Sequence, residues 1–228
     1  MNIDKQLDIF VRVSSEGVTR EGRVVEMMIH FYPGMGASSE MYSGCWRELP
    51  NSMFHDWPKW KGESTITELA SRLIEEHGIK SGDIVAGSSL GGIVACEISN
   101  QINLTRLILI GGATSKGEIN GVLSVLLPLV DLAPMEFLRI SAGKVHHELS
   151  AMFSESEPDF IRSMCKAIFT WSGLQSDVKI TRIHGKHDLV IPQPKGVDKI
   201  IEGGHLIAMT HARECCEQIE TDVNSLKH

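Results

Sequence analysis

Asp83-Ile84-Val85-Ala86-Gly87-Ser88-Ser89-Leu90-Gly91-Gly92 reads as the end of a strand, a tight turn and the first residues of a helix. Ile84–Ala86 is a short apolar run, and Ile93-Val94-Ala95-Cys96-Glu97-Ile98 continues in a helix-compatible pattern. Between them Ser89 is the centre of a G-x-S-x-G turn. Such an elbow holds its central residue in a strained backbone conformation and projects the hydroxyl from the sheet edge. The residues two positions to either side must be small, because a side chain there collides with the abutting strand and helix. Gly87 and Gly91 meet that demand. The flanks of Ser88, Gly87 and Ser89, suit an elbow less well. The Leu90 amide, at the helix start, is placed to meet a developing anion.

Working outward, the segments on both sides repeat one alternation. Val24–Tyr32 is a mostly apolar run, as expected of a strand buried on both faces, and it stops at Pro33-Gly34-Met35-Gly36-Ala37-Ser38-Ser39, a loop of small residues. Met53, Phe54 and Trp57 fit a short strand ended by Pro58. A helix follows: Thr65 and Glu68 have capping-box spacing, Ile66, Leu69, Ala70, Leu73 and Ile74 form one apolar stripe, and Gly78 ends it. After the elbow helix come the strand Leu104–Ile110, then Val178–His184, a short strand Val197–Ile201, and a closing helix from about Thr210. Strand and helix in alternation with short connections predict an α/β fold with a mostly parallel sheet flanked by helices. Residues 3–13 alternate loosely and suit an edge hairpin. From 115 to 174 there is no strand signal, only helical segments. In one of these Pro158 fits the first turn, and Phe160, Ile161, Met164, Ile168 and Trp171 share a side. The expectation is a single domain over 1–228 with a helical lid inserted at 115–174. Connecting helices packed on the sheet are the plainer alternative.

Composition narrows the function classes. The chain has 228 residues, 42% hydrophobic and 22% charged, with a net charge of −7, which suits a globular protein and argues against nucleic acid or anionic membrane as the main partner. Its longest strongly apolar stretch, Val122–Val130, is interrupted by Ser124 and Pro128 and is too short to span a bilayer. No basic-then-apolar leader opens the sequence, and the five cysteines show no C-x-x-C spacing. Reduced thiols and a cytoplasmic location are expected, with no disulfide framework, metal or cofactor. The sequence does not indicate an oligomeric state.

A serine hydroxyl is a weak nucleophile at neutral pH and needs a base beside it, with a third group to orient that base. The sequence offers both in loops that follow strands. Asp188 comes after Val178–His184, and His205, beside Gly203 and Gly204, comes after Val197–Ile201. In a parallel sheet these loops leave the same carboxyl edge as the elbow. Asp188 also has a plainer reading as a turn residue. His184 and His187 beside it invite a metal site, but no further ligands accompany them. His146 and His147 fall in the insertion and suit solvated positions.

With Gly87–Gly92, His184-Gly185-Lys186-His187-Asp188-Leu189-Val190-Ile191-Pro192 and Gly203-Gly204-His205 in view, the chain resembles α/β-hydrolase-fold proteins over roughly Val24 to Leu226. The resemblance implies Ser89 as nucleophile, His205 as general base and acid, and Asp188 as the orienting acid. It implies an oxyanion hole formed by the amides of Leu90 and Met35. Tyr32-Pro33-Gly34 stands where the family usually has His-Gly, and little sequence precedes Val24, so the family's leading strands are expected to be reduced or absent. The implied activity is hydrolysis of a small-molecule carboxylic ester through an acyl-enzyme. Thioester, lactone and carbon–carbon cleavage stay open, as do a lyase and a ligand-binding protein on the same scaffold. Phe160, Met164, Ile168 and Trp171 are candidates to line the substrate pocket; core packing explains the same stripe.

Overall fold

The computed structural model describes residues 16–18, 24–119 and 157–226. The alternation at 3–13, the run Val122–Val130, the His146-His147 pair and the middle of the 115–174 insertion lie outside the described residues. Two short strands, β1 (Glu16–Val18) and β2 (Val24–Glu26), pair antiparallel. Among the described residues the main sheet has six strands: β3 (Ile29–Tyr32), β4 (Ser52–Phe54), β5 (Ile84–Ser88), β6 (Arg106–Ile110), β7 (Ile180–Gly185) and β8 (Lys199–Ile201). All its pairings are parallel, in the order β4-β3-β5-β6-β7-β8. The run expected as one strand from Val24 to Tyr32 is therefore two. β2 pairs with β1, and the main sheet begins at Ile29 because its partner β5 begins at Ile84, opposite it.

Consecutive side chains along these strands enter opposite layers, as a pleated strand requires. Val85, Leu107 and Leu109 join one core with α1 (Ile66–His77), α2 (Leu90–Gln101) and α3 (Pro158–Thr170). Ile84, Ala86, Ile108 and Ile110 join the other, with Trp46, Ile207 of α4 (Ile207–Thr210) and Cys215, Ile219 and Val223 of α5 (Ala212–Ser225). α1 has the reciprocal capping box between Thr65 and Glu68 and ends at Gly78 with φ +63°. α2 has no polar face at its start: Leu90 through Ser99 are buried without a break, because this helix lies on β3, β5 and β6 and packs along α1. Pro158 opens α3 at its first turn.

The strand order decides where a site forms. From β3 the chain goes outward to β4, then returns through α1 to place β5 on the other side of β3. The loops after β3 and β5 therefore diverge at a switch point, where open α/β sheets form their clefts.

Candidate active site

At that switch point Ser89 has φ 52° and ψ −115°, a conformation unfavourable for a residue with a side chain. Close packing around it holds the strain. A Cβ on Gly87 would overlap the backbone of Gly91, and a Cβ on Gly91 would overlap the carbonyl of Tyr32 at the end of β3. No larger residue fits either position without moving α2 off the sheet. Ser88 is buried at the end of β5.

Two loops from the far side of the sheet reach the elbow. Their closeness comes from β7 and β8, whose ends lie together: a Cβ on Gly185 would overlap the Gly204 carbonyl, and Lys186 N–H donates to Ile201 C=O at 2.8 Å. Asp188 is buried just past β7. Its Oδ1 accepts from the amides of Val190 and Ile191, each at 2.9 Å, which leaves Oδ2 facing His205 Nδ1 at 2.8 Å. His205 Nε2 lies 2.9 Å from Ser89 Oγ. The two backbone donors on Oδ1 fix the carboxylate's orientation, and through it the imidazole's. With Nδ1 donating to Asp188, Nε2 turns its lone pair to the Ser89 hydroxyl and can accept a hydrogen bond from it.

His184 supports this arrangement from beneath. Its Nε2 donates to the Ile191 carbonyl at 2.8 Å and lies 3.4 Å from Asp188 Oδ2, and burial lowers its pKa so that the ring is neutral. His187 instead points outward to Glu202, at 3.1 Å. The sequence marks both histidines only as neighbours of Asp188; the burial of β7 separates them.

The Leu90 N–H is the first of α2, where no helical carbonyl is available to it. Met35 follows Gly34 in the loop after β3, and a Cβ on Gly34 would lie 3.7 Å from Ser89 Cβ, so this loop abuts the serine. Trp57 Nε1–H donates to the Gly34 carbonyl at 2.9 Å. Nothing in the local pattern singles out Trp57, whose partner lies 23 residues away in the chain. Phe160, Met164, Ile168 and Trp171 are core side chains among those of α1 and α2. Phe160 packs on Trp57 with ring centroids 5.5 Å apart, and Trp171 Nε1–H donates to buried Glu97 at 2.9 Å. Among the described residues no cluster of three or more His, Cys, Asp or Glu could hold a metal ion, and no helix is long and apolar enough to cross a membrane.

No family model and no curated protein matches the sequence. Solved structures do match its shape. A hydrolase from Oleispira antarctica superposes with a TM-score of 0.72 at 16% identity, over 88% of this chain and 92% of that one. A thermophilic esterase from Thermogutta terrifontis gives 0.67 at 15% identity, over 89% and 91%. An enol-lactonase from Burkholderia xenovorans gives 0.63 at 15% identity, over 91% and 94%. Coverage this complete in both directions reaches well beyond a shared motif, and the chain has the α/β-hydrolase fold.

Proposed function

We propose that the chain is a serine hydrolase that cleaves a carboxylic ester of a small molecule. The observation that carries this reading is the unbroken line of short hydrogen bonds from Asp188 through His205 to Ser89, at 2.8 and 2.9 Å. Ser89 Oγ attacks the ester carbonyl carbon while His205 Nε2 takes its proton, and Asp188 stabilises the resulting imidazolium. The tetrahedral oxyanion is met by the amides of Leu90 and Met35. As the intermediate collapses, His205 returns the proton to the departing alkoxide, leaving an acyl group on Ser89. Water then attacks the acyl carbon with His205 again as base, releasing the carboxylic acid and restoring the serine. No redox partner enters the cycle.

The esterase and the enol-lactonase among the structural neighbours support an ester, open or cyclic, as the bond cleaved. The same proposal takes residues 115–174 as a cap inserted in a single domain. Support comes from its described end, where Cys165 Sγ of α3 lies 3.3 Å from Met35 Sδ. Free thiols at all five cysteines fit a reducing compartment such as the cytoplasm.

The test is hydrolysis of p-nitrophenyl acetate and butyrate together with labelling by a fluorophosphonate. Ser89→Ala and His205→Ala are expected to lower kcat by about 10⁴-fold or more without loss of folding. Wild-type protein is expected to be labelled at Ser89. Undiminished turnover in Ser89→Ala removes the proposal. Tight ligand binding without labelling or turnover would make the chain a binding protein instead.

A further inference from the structure

The Gly34 carbonyl is held from two directions. Trp57 Nε1–H donates to it at 2.9 Å, and the Ala37 N–H at 3.2 Å closes a turn in which Gly36 has φ +73°. The N–H of Gly34 itself donates to Met41 Sδ at 3.3 Å. Gly34 is thus fixed at both ends, beside Ser89. In a planar trans peptide the carbonyl and the next N–H point in opposite directions, and no described peptide is cis. Whatever holds the Gly34 carbonyl therefore also aims the Met35 N–H, away from Trp57.

Trp57 is well held for such a role. Its ring packs on Tyr32, with centroids 5.9 Å apart, and on Phe160, at 5.5 Å. Tyr32 belongs to β3 and Phe160 to α3, so the indole is braced by both the sheet and the insertion's last helix. An aromatic ring already held by such packing loses little further freedom when it makes a hydrogen bond.

We propose that Trp57 is a positioning residue for the oxyanion hole: its indole N–H sets the Gly34–Met35 peptide so that the Met35 amide meets the charge developing on the substrate oxygen. This rests on the serine-hydrolase reading above. Trp57 does not touch the reacting atoms; it acts through one peptide plane. Because Phe160 braces it, the packing of α3 bears on the same amide.

Trp57→Phe keeps an aromatic ring and removes the donor. Expected is a fall in kcat of about 10- to 100-fold with KM within about twofold, since the lost alignment matters only once charge has formed. Inhibition by an alkylboronic acid, whose tetrahedral adduct uses the same donors, should weaken by the same factor. Trp60→Phe is the matched control. Its indole donates to the Glu63 carbonyl at 3.1 Å, in the same loop but away from Gly34, and kcat should stay within about twofold. Met35→Pro removes the proposed donor itself, at a turn position that suits proline, and should cost at least as much as Trp57→Phe. Adding Trp57→Phe to Met35→Pro should then cost nothing more. The proposal is overturned if Trp57→Phe leaves kcat unchanged, changes KM alone, or loses no more than Trp60→Phe. Should Trp57→Phe fail to fold, Met35→Pro decides, and full activity there overturns the proposal. Wild-type protein that neither turns over esters nor labels at Ser89 removes this proposal and the hydrolase reading together. Active, labelled wild type with an unimpaired Trp57→Phe removes this one only.

Discussion

Among the described residues, two regions hold a histidine against a buried aspartate, and one of the two faces a serine. At the carboxyl edge of the sheet, Asp188 Oδ2 lies 2.8 Å from His205 Nδ1, and the imidazole's other nitrogen meets Ser89 Oγ. In the core beside α1, Asp83 Oδ2 lies 3.4 Å from His30 Nε2, and that imidazole's other nitrogen meets His55 Nε2 at 2.9 Å. His55 in turn stacks on His77, with centroids 4.0 Å apart, and His77 Nδ1 bonds the hydroxyl of Tyr32 at 2.8 Å. The side chains of both pairs are less than a tenth exposed, so burial alone does not separate them. What differs is the partner of the second nitrogen. A hydroxyl on a strained elbow can give up its proton to the imidazole and attack; a second imidazole in a stack can only complete a hydrogen bond. An imidazole–carboxylate pair is a structural unit until a nucleophile is added.

The same substitution made in each region breaks the comparison most directly. In Asp188→Asn the two amides on Oδ1 would keep the side-chain oxygen and turn the NH₂ group toward His205 Nδ1. That forces the proton onto Nε2, which then cannot accept one from Ser89. The expected loss in kcat is on the order of 10³- to 10⁴-fold, with little change in melting temperature. Asp83→Asn should do the reverse. Asp83 accepts from the amides of Met28 (3.2 Å) and Lys80 (2.8 Å), one on each oxygen, so the amide side chain leaves one donor unmatched. The expected cost is about 1–3 kcal/mol, or roughly 2–10 °C in melting temperature, with kcat of the folded protein unchanged. A large loss of kcat in a folded Asp83→Asn protein would show that the two regions are coupled.

Acid should weaken the core cluster. Burial lowers the pKa of His55 from 6.5 to about 3, with the neighbouring His77 and His30 adding to it, and burial lowers His77 and His184 as well. At pH 7.5 these rings are neutral in both the folded and the unfolded chain. As pH falls through 6.5 the unfolded chain takes up protons that the folded one refuses, so stability declines from there down toward pH 3. Asp83 acts in the same direction at the acid end. Burial raises its pKa, but the hydrogen bonds from His30, Lys80 and Met28 outweigh that and hold it below the usual value. The urea midpoint is expected to be lower at pH 5 than at pH 7.5, and His55→Gln should flatten part of that slope. A midpoint that rises toward pH 5 would contradict it.

The smallest expected effect belongs to neither region. Thr65→Ala removes the half of the α1 capping box in which Thr65 Oγ1 accepts from the Glu68 N–H, and should cost about 1 kcal/mol, read from the urea midpoint, with turnover unchanged.

Much of this was legible in the residue order because it follows local rules. The capping box at Thr65 and Glu68, the stop at Gly78, the proline at the start of α3 and the small residues around Ser89 each depend on spacings of a few positions. They appear in the structure as read. The run Val24–Tyr32 reads as one strand because an apolar stretch carries no mark of where its partner begins; β5 supplies that mark at Ile84. The stripe on α3 was equally compatible with a pocket wall and a core, since periodicity names a buried face without naming what covers it.

The sequence by itself determined the alternation of strand and helix, the elbow at Ser89, and the strand-end loops that carry Asp188 and His205. These depend on backbone sterics and on periods of two and 3.6 residues, which act between near neighbours. Only the tertiary structure decided that Ser89 and His205, 116 positions apart, lie within a hydrogen bond of each other, that His30 and His55 seal a core pair, and that Trp57 reaches Gly34. Those contacts depend on the order β4-β3-β5-β6-β7-β8, which the packing of whole layers selects and no short stretch of residues contains.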